Sequence, residues 1–532
     1  MYFASIQIPP SAGFHQRKAI KATERNTFLW LKSIIMEFMG ALGWGDLCTI
    51  ALFGILFLFF AEILRITFPK SNIPPGPKPF PFVGNVPQII KDPMKFINEM
   101  KNYGEISSLY LGRQPSVSLN SIGAVREALL QNGSDFLGRP YIPVLDWIIH
   151  GKGIVMANGD SWKQQRKFAL HTLRSFGFGK KSLEERVSEE ARCLAEELEN
   201  QGDKPFDPQF WLMNAASNVI CSIVFGNRFD YDDDRFCHLL HIVNKNIIMA
   251  GSVIGQIFNL VPIIKYLPGP QQQIQRNAKE FTAFISEAVK EHRTTLDREN
   301  PRDFIDAYII EIEKQNSNSD SSFCEENMVF SVADLFLAGT DTTATTLRWG
   351  LMFMLEHPDI QERCHQEIAE VIGYERHPSM EDRTNMHYVL ATLHEIQRFG
   401  NITPVGVMRA VTTDTQLRGY SLAKGTQVVV NMTAVFTNKD HWKFPNEFNP
   451  GNFLDDEGKF LKHEFFVPFS LGPRLCLGEQ LARMELFIFF TSLLQRLRFT
   501  RPPGVTSSYN NGIFGLIRSP KPFKLMCRKR EF

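Results

Sequence analysis

Phe469-Ser-Leu-Gly-Pro-Arg-Leu-Cys-Leu-Gly478 is the stretch on which the reading of this chain turns. Its fixed positions fit F-x-x-G-x-R-x-C-x-G, and five fixed residues match by chance in about one of several thousand chains of this length. The segment puts a cysteine on a tight loop that feeds an apolar helix, predicted over Cys476 to Arg496. The helix N-terminus and Arg474 both favour a thiolate over a thiol. Gly472 and Gly478 let the backbone come close to a flat ligand. A thiolate axial ligand in general pushes electron density into a haem iron and favours O–O cleavage.

With these residues the chain resembles the cytochrome P-450 superfamily, from Pro74 to nearly its end. It is similar to the vertebrate microsomal second family and looks most like its J subfamily of fatty-acid epoxygenases and hydroxylases. The resemblance implies a mainly α fold with small β-sheets, an N-terminal membrane anchor helix, haem b with Cys476 as the metal ligand, and monooxygenase activity. Phe469, Arg474 and Gly478 belong to the same cofactor loop.

Other segments agree with it. Glu395-Ile-Gln-Arg398 is E-x-x-R, whose i and i+3 positions share a helix face and can lock a buried ion pair. Alone such a pair is usually solvated; ahead of the cysteine loop it matches a structural motif of the family. Many relatives carry P-E-R-F before that loop, whereas this chain has Pro450-Gly-Asn-Phe453, so Asn452 is expected to make a neutral contact in place of a third ion.

Trp162-Lys-Gln-Gln-Arg166 is W-x-x-x-R, and the resemblance puts both donors on haem propionates. The bland alternative is a packed Trp beside a surface Arg. Arg409 and Arg474 match the family's other propionate donors, with His150 as a further loop candidate. Ala338-Gly-Thr-Asp-Thr-Thr343 matches the oxygen-activation motif A-G-x-[DE]-T-T. It lies midway along Glu325 to His357, a proline-free stretch that fits one helix roughly 50 Å long. Ala338 and Gly339 supply the small residues a helix needs to cross a haem. Thr342 can bond a carbonyl one turn back and open the ladder locally, and Asp341 can relay protons. A weak point in a helix with no chemical role is the alternative.

Composition narrows the classes. Lys plus Arg number 58 and Asp plus Glu 57, a net charge of +1 over 532 residues, which argues against nucleic-acid binding. Phe outnumbers Tyr 45 to 11, so most aromatic surface has no polar tip and can line an apolar pocket. The eight cysteines are scattered, without CxxC, so neither a disulfide scaffold nor a zinc ribbon is expected. No flavin or nicotinamide fingerprint occurs; Gly151-Lys-Gly153 lacks the third glycine. Electrons must come from elsewhere; the resemblance implies NADPH through NADPH–cytochrome reductase, with cytochrome b5 as a second donor. Lys163, Lys167, Arg174, Lys180 and Lys181 form a basic patch for an acidic reductase, or simply a solvated face.

Leu47 to Ala61 is uncharged, about 22 Å as a helix, and extension to Ile66 reaches a membrane span. No cleavage pattern follows, so it reads as a retained anchor. The domain reading is 1–35 as an extension, 36–70 as the anchor region, 71–78 as a proline-rich hinge, and 79–532 as the haem-thiolate domain. Residues 1–35 carry Arg17, Lys18, Lys21, Arg25 and Lys32 against Glu24. With a start at Met36, charges place the body on the cytosolic face of the endoplasmic reticulum; if the extension is translated, a mitochondrial address is the alternative. The sequons at Asn132, Asn401 and Asn431 are then chance matches.

Strands are expected near 105–119 and 414–431, a surface loop at Gln315 to Ser322, and helices over most of the rest. The substrate expectation is a long apolar molecule: polyunsaturated fatty acids of the arachidonate type first, drug-like xenobiotics second. Ile247 to Leu267 has one charge, Lys265, and the family places this region over the pocket and against the membrane; Thr403 to Val407 and Ile513 to Gly515 are expected to form pocket wall. A reductase-independent peroxide isomerase and a non-catalytic membrane haem-binding protein are the competing readings. Intact Asp341 and Thr342 favour the O2-using monooxygenase.

Overall fold

The computed structural model describes residues 44–67, 72–177, 181–504 and 512–530. The expected extension 1–35, the start of the anchor region, Lys70, Ser71 and Lys180 lie outside these residues. The chain divides into two compact units, Met1–Pro69 and Lys70–Phe532.

The described part of the first unit is helix α1, Trp44–Thr67. The uncharged run grows at both ends into a helix of about 36 Å, because Asp46 sits in its first turn and Arg65 in its last, where each charge suits the helix dipole. Arg65 also pairs with Glu62 at 2.6 Å. Cys48–Thr67 has a mean hydropathy of 2.2 and is long and apolar enough to cross a membrane.

In the second unit, the proline-rich stretch is bonded to the body over residues 72–78. The Asn72 amide donates to Gly419 O at 2.7 Å, and the Ser108 N–H donates to Pro75 O at 2.8 Å. A Cβ on Gly76 would stand 1.9 Å from Ser108 O, so only glycine fits there.

The main sheet uses strands β1 (Ile106–Leu111), β2 (Gln114–Leu119), β3 (Arg409–Ala410) and β6 (Gln427–Val430), in the order β1-β2-β6-β3. β1 and β2 form an antiparallel hairpin, and β2 runs parallel to β6 from Ser116↔Gln427 to Leu119↔Val430. Strands β4 (Thr415–Leu417) and β5 (Tyr420–Leu422) form a small hairpin between β3 and β6. Both stretches expected as strands are strands.

The helical body surrounds one long helix. The helices that matter for the site are α2 (Gly159–Ser175), α3 (Lys181–Asn200), α4 (Gln209–Val224), α5 (Asp234–Gly251), α6 (Val253–Leu260), α7 (Gln271–Thr295), α8 (Glu325–Glu356), α9 (His387–Gly400) and α10 (Glu479–Arg496). With 32 residues, α8 is about 48 Å long. It is buried on all sides from Thr343 to Leu355, as a helix that crosses a core must be. The polar stretch after Gln315 is the loop before α8, as expected.

α4 packs along α8. A Cβ on Gly339 would stand 3.2 Å from Ile220 Cγ1, so the missing side chain lets these two helices approach. The structure thus gives Gly339 a packing reason as well.

The E-x-x-R pair is fully buried. Arg398 donates to Glu395 at 2.6 and 2.7 Å and caps the carbonyls of Phe436, Phe444, Pro445 and Glu447. Asn452 donates to both Glu395 oxygens, at 3.2 and 3.3 Å. The third member is therefore neutral, as the Pro450-Gly-Asn-Phe453 departure implies. Burial raises the Glu395 pKa while Arg398 opposes the rise.

Candidate active site

Cys476 lies in a loop ahead of α10. That helix begins at Glu479, with Gly478 at its N-cap, so the expected helical start at Cys476 was too early. A 3-10 turn, Gly472–Arg474, shapes the loop, and the Cys476 N–H closes it by donating to Phe469 O at 3.0 Å. Gly472 has φ +76°, and a Cβ there would stand 1.9 Å from Leu129 O. It makes this close contact with a distant backbone. Gly478 differs: nothing lies within 4 Å of its Cβ position among the described residues outside its own helix and chain neighbours, so that side is open. The Phe469 ring lies 5.0 Å from the Arg483 guanidinium.

The thiol of Cys476 keeps exposed surface, yet enough protein surrounds it that burial raises its pKa. The Gly478 N–H and the charge of Arg166 pull the other way, and Glu479 adds to the rise. The cation acting on the thiol is thus Arg166, not Arg474, which turns away to the carbonyls of Leu137 at 3.0 Å and Ala157 at 2.7 Å. Metal coordination deprotonates a thiol outright, so the raised value describes the free side chain only.

Four guanidinium groups converge beside this loop. Arg166, on α2, donates to Leu475 O at 2.6 Å. The Arg474 guanidinium stacks 3.8 Å from the ring centre of buried Trp162. Arg409 donates to Ser470 Oγ at 3.1 Å and Arg474 O at 3.2 Å, and its buried Nε has no partner. Arg139 donates to the carbonyls of Val155, Val407 and Met408 at 2.7 to 2.9 Å. Burial, then mutual repulsion, pulls Arg474 down to about 8, Arg409 to about 9 and Arg139 to about 10, and burial lowers Arg166. Arg139 has one acidic neighbour, Asp334 on α8, itself pushed up to about 6 by burial. Such a cluster is short of negative charge. A ligand bearing two carboxylates, as haem does, would relieve it, and the donor set therefore fits that group. His150 is exposed and bonds to none of the four among the described residues.

Asp334 also fastens α8 to this cluster. It accepts the backbone N–H groups of Ile154 at 2.6 Å and Val155 at 2.8 Å. Gly153, at φ +82°, leaves room: a Cβ would stand 2.5 Å from Asp334 Oδ2. The same short loop offers its carbonyls to Arg139 and Arg474. On the far side, the Thr343 hydroxyl donates at 2.7 Å to Glu485 Oε2 on α10. Glu485 is fully buried, its Oε1 has no partner among the described residues, and burial pushes its pKa up to about 8.

Between these two fastenings lies the turn Ala338 to Thr342. Ala338 is exposed, although Phe336, Thr340 and Asp341 around it are buried. Thr342 donates to Ala338 O at 2.6 Å, the bond one turn back expected from the sequence, and Thr346 donates to Thr342 O at 2.8 Å. Burial pushes Asp341 up to about 6, opposed by Arg348.

A mainly apolar cavity of about 110 Å³ borders α8 beside this turn; Ile148, Val243, Phe281, Ala333, Leu337 and Leu516 line it with Asp334 as the charged member, and no Lys, Arg or His among the described residues does. Of the expected wall, Leu516 just beyond Ile513 to Gly515 reaches this cavity, and Thr403 to Val407 does not. In the segment Ile247 to Leu267, Ile247 and Ala250 line the cavity, while Val253, Ile257, Val261, Ile263, Tyr266 and Leu267 are exposed. On α2, Lys163, Lys167 and Arg174 lie exposed, away from buried Trp162 and Gln165, and Lys163 pairs with Asp160 at 2.8 Å.

Sequence reasoning missed Arg139, Asp334 and Glu485. Each is a lone charge in an apolar run: Arg139 within Phe136 to Val144, Asp334 between Glu326 and Asp341, Glu485 between Arg483 and Arg496. That isolation is the signal by which they could have been found.

A family model described as cytochrome P450 matches residues 74–527. Cytochrome P450 2J5 of Mus musculus is 44% identical over 505 residues, covering 94% of this chain and 99% of the relative. Cytochrome P450 2J2 of Homo sapiens is 45% identical over 480 residues, covering 90% and 95%. Cytochrome P450 2C23 of Rattus norvegicus is 45% identical over 460 residues, covering 86% and 93%.

Proposed function

The chain belongs to the cytochrome P450 family and is a haem monooxygenase, and on that premise we propose that Cys476 would hold the haem iron through its thiolate and that the enzyme oxygenates lipophilic substrates. The single observation that carries this reading is the meeting of the Cys476 loop with four arginines, of which Arg139, Arg409 and Arg474 are buried and Arg166 half-buried. Arg139, Arg166, Arg409 and Arg474, with Trp162, would hold the propionates, and Ala338, Phe469 and Gly478 would border the macrocycle. When bound, the haem supplies reductive activation of O2 and delivery of one oxygen atom.

The residues of the chain do the rest. Asp341 holds a proton at its carboxyl, kept available near neutral pH by burial. Thr342 exchanges its bond to Ala338 O for one toward the reacting centre and passes that proton through Oγ1. Water is excluded by the apolar lining beside α8.

Electrons come from NADPH through an NADPH–cytochrome reductase, with cytochrome b5 as a second donor, docking on the exposed basic face of α2. The enzyme sits on the cytosolic face of the endoplasmic reticulum, held by α1. Exposed Val253, Ile257, Val261, Ile263 and Leu267 would face the lipid and admit substrate from it. A cavity without a cation favours chains whose carboxylate stays at the mouth, since an unpaired buried carboxylate is costly. Polyunsaturated fatty acids are the first substrate class and drug-like xenobiotics the second.

The test is reconstitution with reductase and NADPH, with products read by mass spectrometry. Oxygenated C18–C22 polyunsaturated acids are expected. Turnover of a steroid or small drug, with none of any such acid, would overturn the lipid assignment.

A further inference from the structure

Among the described residues, no acidic group bears on Arg518; burial alone pulls its pKa down to about 10, so it stays charged near neutral pH. The end of a helix holds it instead. Its Nη1 donates to Gly400 O at 2.6 Å and to Phe399 O at 3.4 Å, the last carbonyls of α9, where the helix dipole is negative. Its guanidinium lies 4.4 Å from the ring centre of Trp349, a buried residue two turns beyond Thr342 on α8. The backbone of Arg518 ties to the same two helices. Its N–H donates to Ile402 O at 2.7 Å, just past α9, and its carbonyl accepts Trp349 Nε1 at 3.1 Å.

These bonds fix a short hairpin. Strands Gly512–Phe514 and Arg518–Pro520 pair antiparallel, and Phe514↔Arg518 is the last rung before the turn. The turn runs from Gly515 to Ile517, and the Gly515 N–H closes it by donating to Ile517 O at 3.0 Å. Its other side rests on the end of α5: a Cβ on Gly251 would stand 2.5 Å from Gly515 Cα. Leu516, in the middle of the turn, lines the cavity beside α8. The turn is thus held between α5 on one side and α8 with α9 on the other, and Arg518 makes the ties on the second side.

We infer that Arg518 is a specificity-determining positioning residue: by pinning the hairpin to the end of α9, it sets how far Leu516 projects into the cavity, and so which carbon of a bound substrate is presented for oxygenation. The inference rests on the proposed oxygenation of lipophilic substrates in this cavity. A misplacement of about 1 Å is enough to take a reacting atom out of its productive geometry. Glutamine at 518 keeps a donor for the α9 carbonyls but loses the charge and the stack on Trp349. Lysine keeps the charge at the end of α9 and loses only the planar fork.

The experiment uses the full-length holoprotein in phospholipid vesicles with reductase, and compares wild type, Arg518→Gln, Arg518→Lys, Leu516→Ala and the double variant Arg518→Gln/Leu516→Ala. The probes are arachidonic acid and testosterone. Substrate affinity is read from the spectral shift of the resting haem before NADPH is added; haem content, KM, kcat and the ratio of product regioisomers follow. Arg518→Gln should load haem as wild type does, weaken the spectral affinity and shift the regioisomer ratio by about threefold or more each, and change KM more than kcat. Arg518→Lys should return both quantities at least half-way to wild type. The double variant should give the ratio of Leu516→Ala alone, because Arg518 acts through that side chain. Wild-type affinity and ratio in Arg518→Gln would overturn the inference, as would shifts that add independently in the double variant. If Arg518→Gln does not fold, Arg518→Lys and Trp349→Phe, which deletes the bond to Arg518 O, decide: smaller shifts of the ratio support the role, and wild-type ratios in both overturn it. A wild type without NADPH-dependent product would overturn the monooxygenase reading, whereas the spectral affinities need no turnover and still decide the positioning role.

Discussion

Among the described residues, Glu485 has only the Thr343 hydroxyl as a partner for a fully buried carboxyl, and one of its oxygens has none. Its folded pKa, about 8, stands above the ordinary carboxyl value of 4.5. The neutral form is therefore favoured by folding: its contribution to stability is complete below pH 4.5 and is lost as pH rises toward about 8. Glu485→Gln keeps an acceptor for Thr343 and cannot ionise. Its thermal midpoint should change less than that of wild type between pH 5 and 8.5; parallel curves would mean that Glu485 stays neutral throughout or finds another partner. Thr342 is a different case, since its hydroxyl already has a partner and costs the fold nothing. Thr342→Ala should keep its haem, divert most NADPH flux to hydrogen peroxide, and lower product per NADPH severalfold; an unchanged ratio would count against the proton role. Residues of this second kind were legible in the sequence because they sit in a spaced motif. Glu485, Asp334 and Arg139 were not, because the partners that explain them are distant in the chain.

Among elements, the ties that hold α9 to the Glu447 to Asn452 segment are unequal. Glu395 neutralises Arg398 in a dry site, whereas Asn452 adds two neutral-donor bonds. Glu395→Ala leaves a buried cation unpaired, at a cost of about 3–5 kcal/mol, while Asn452→Ala should cost about 1 kcal/mol. Urea denaturation of the holoprotein should rank the two in that order and by about that margin; equal effects would contradict the pairing. The long helix α8 could be read from its lack of proline, and the strands from alternation. The start of α10 could not: the turn of Gly472–Arg474 and the cap at Gly478 hold Cys476 outside the helix. Gly472 and Gly339 also meet Leu129 O and Ile220, groups contributed from elsewhere in the chain. Spacing reports on one element at a time, and a close approach between elements is invisible to it.

At the scale of the whole molecule, every proposed site residue belongs to the unit Lys70–Phe532. A chain beginning at residue 70 should fold and load haem like the full-length protein, read by haem absorbance per polypeptide. A truncated chain without haem would show that the body depends on the first unit. The anchor was legible as an uncharged run, and the structure lengthens it to Trp44–Thr67 by adding ends whose charges the helix tolerates. The fold class came from the cysteine loop and the motifs ordered before it, and the match over residues 74–527 covers nearly all of the second unit. What the motifs left open is the charge balance of the site, in which four arginines outnumber nearby acids and wait for an anionic ligand. All of this converges on one sulfur atom. The carbon monoxide spectrum of the reduced protein tests it most directly: wild type should absorb at the long wavelength typical of thiolate-ligated haem, and Cys476→Ser should lose that band. A Cys476→Ser protein that retained both haem and the long-wavelength band would contradict the account.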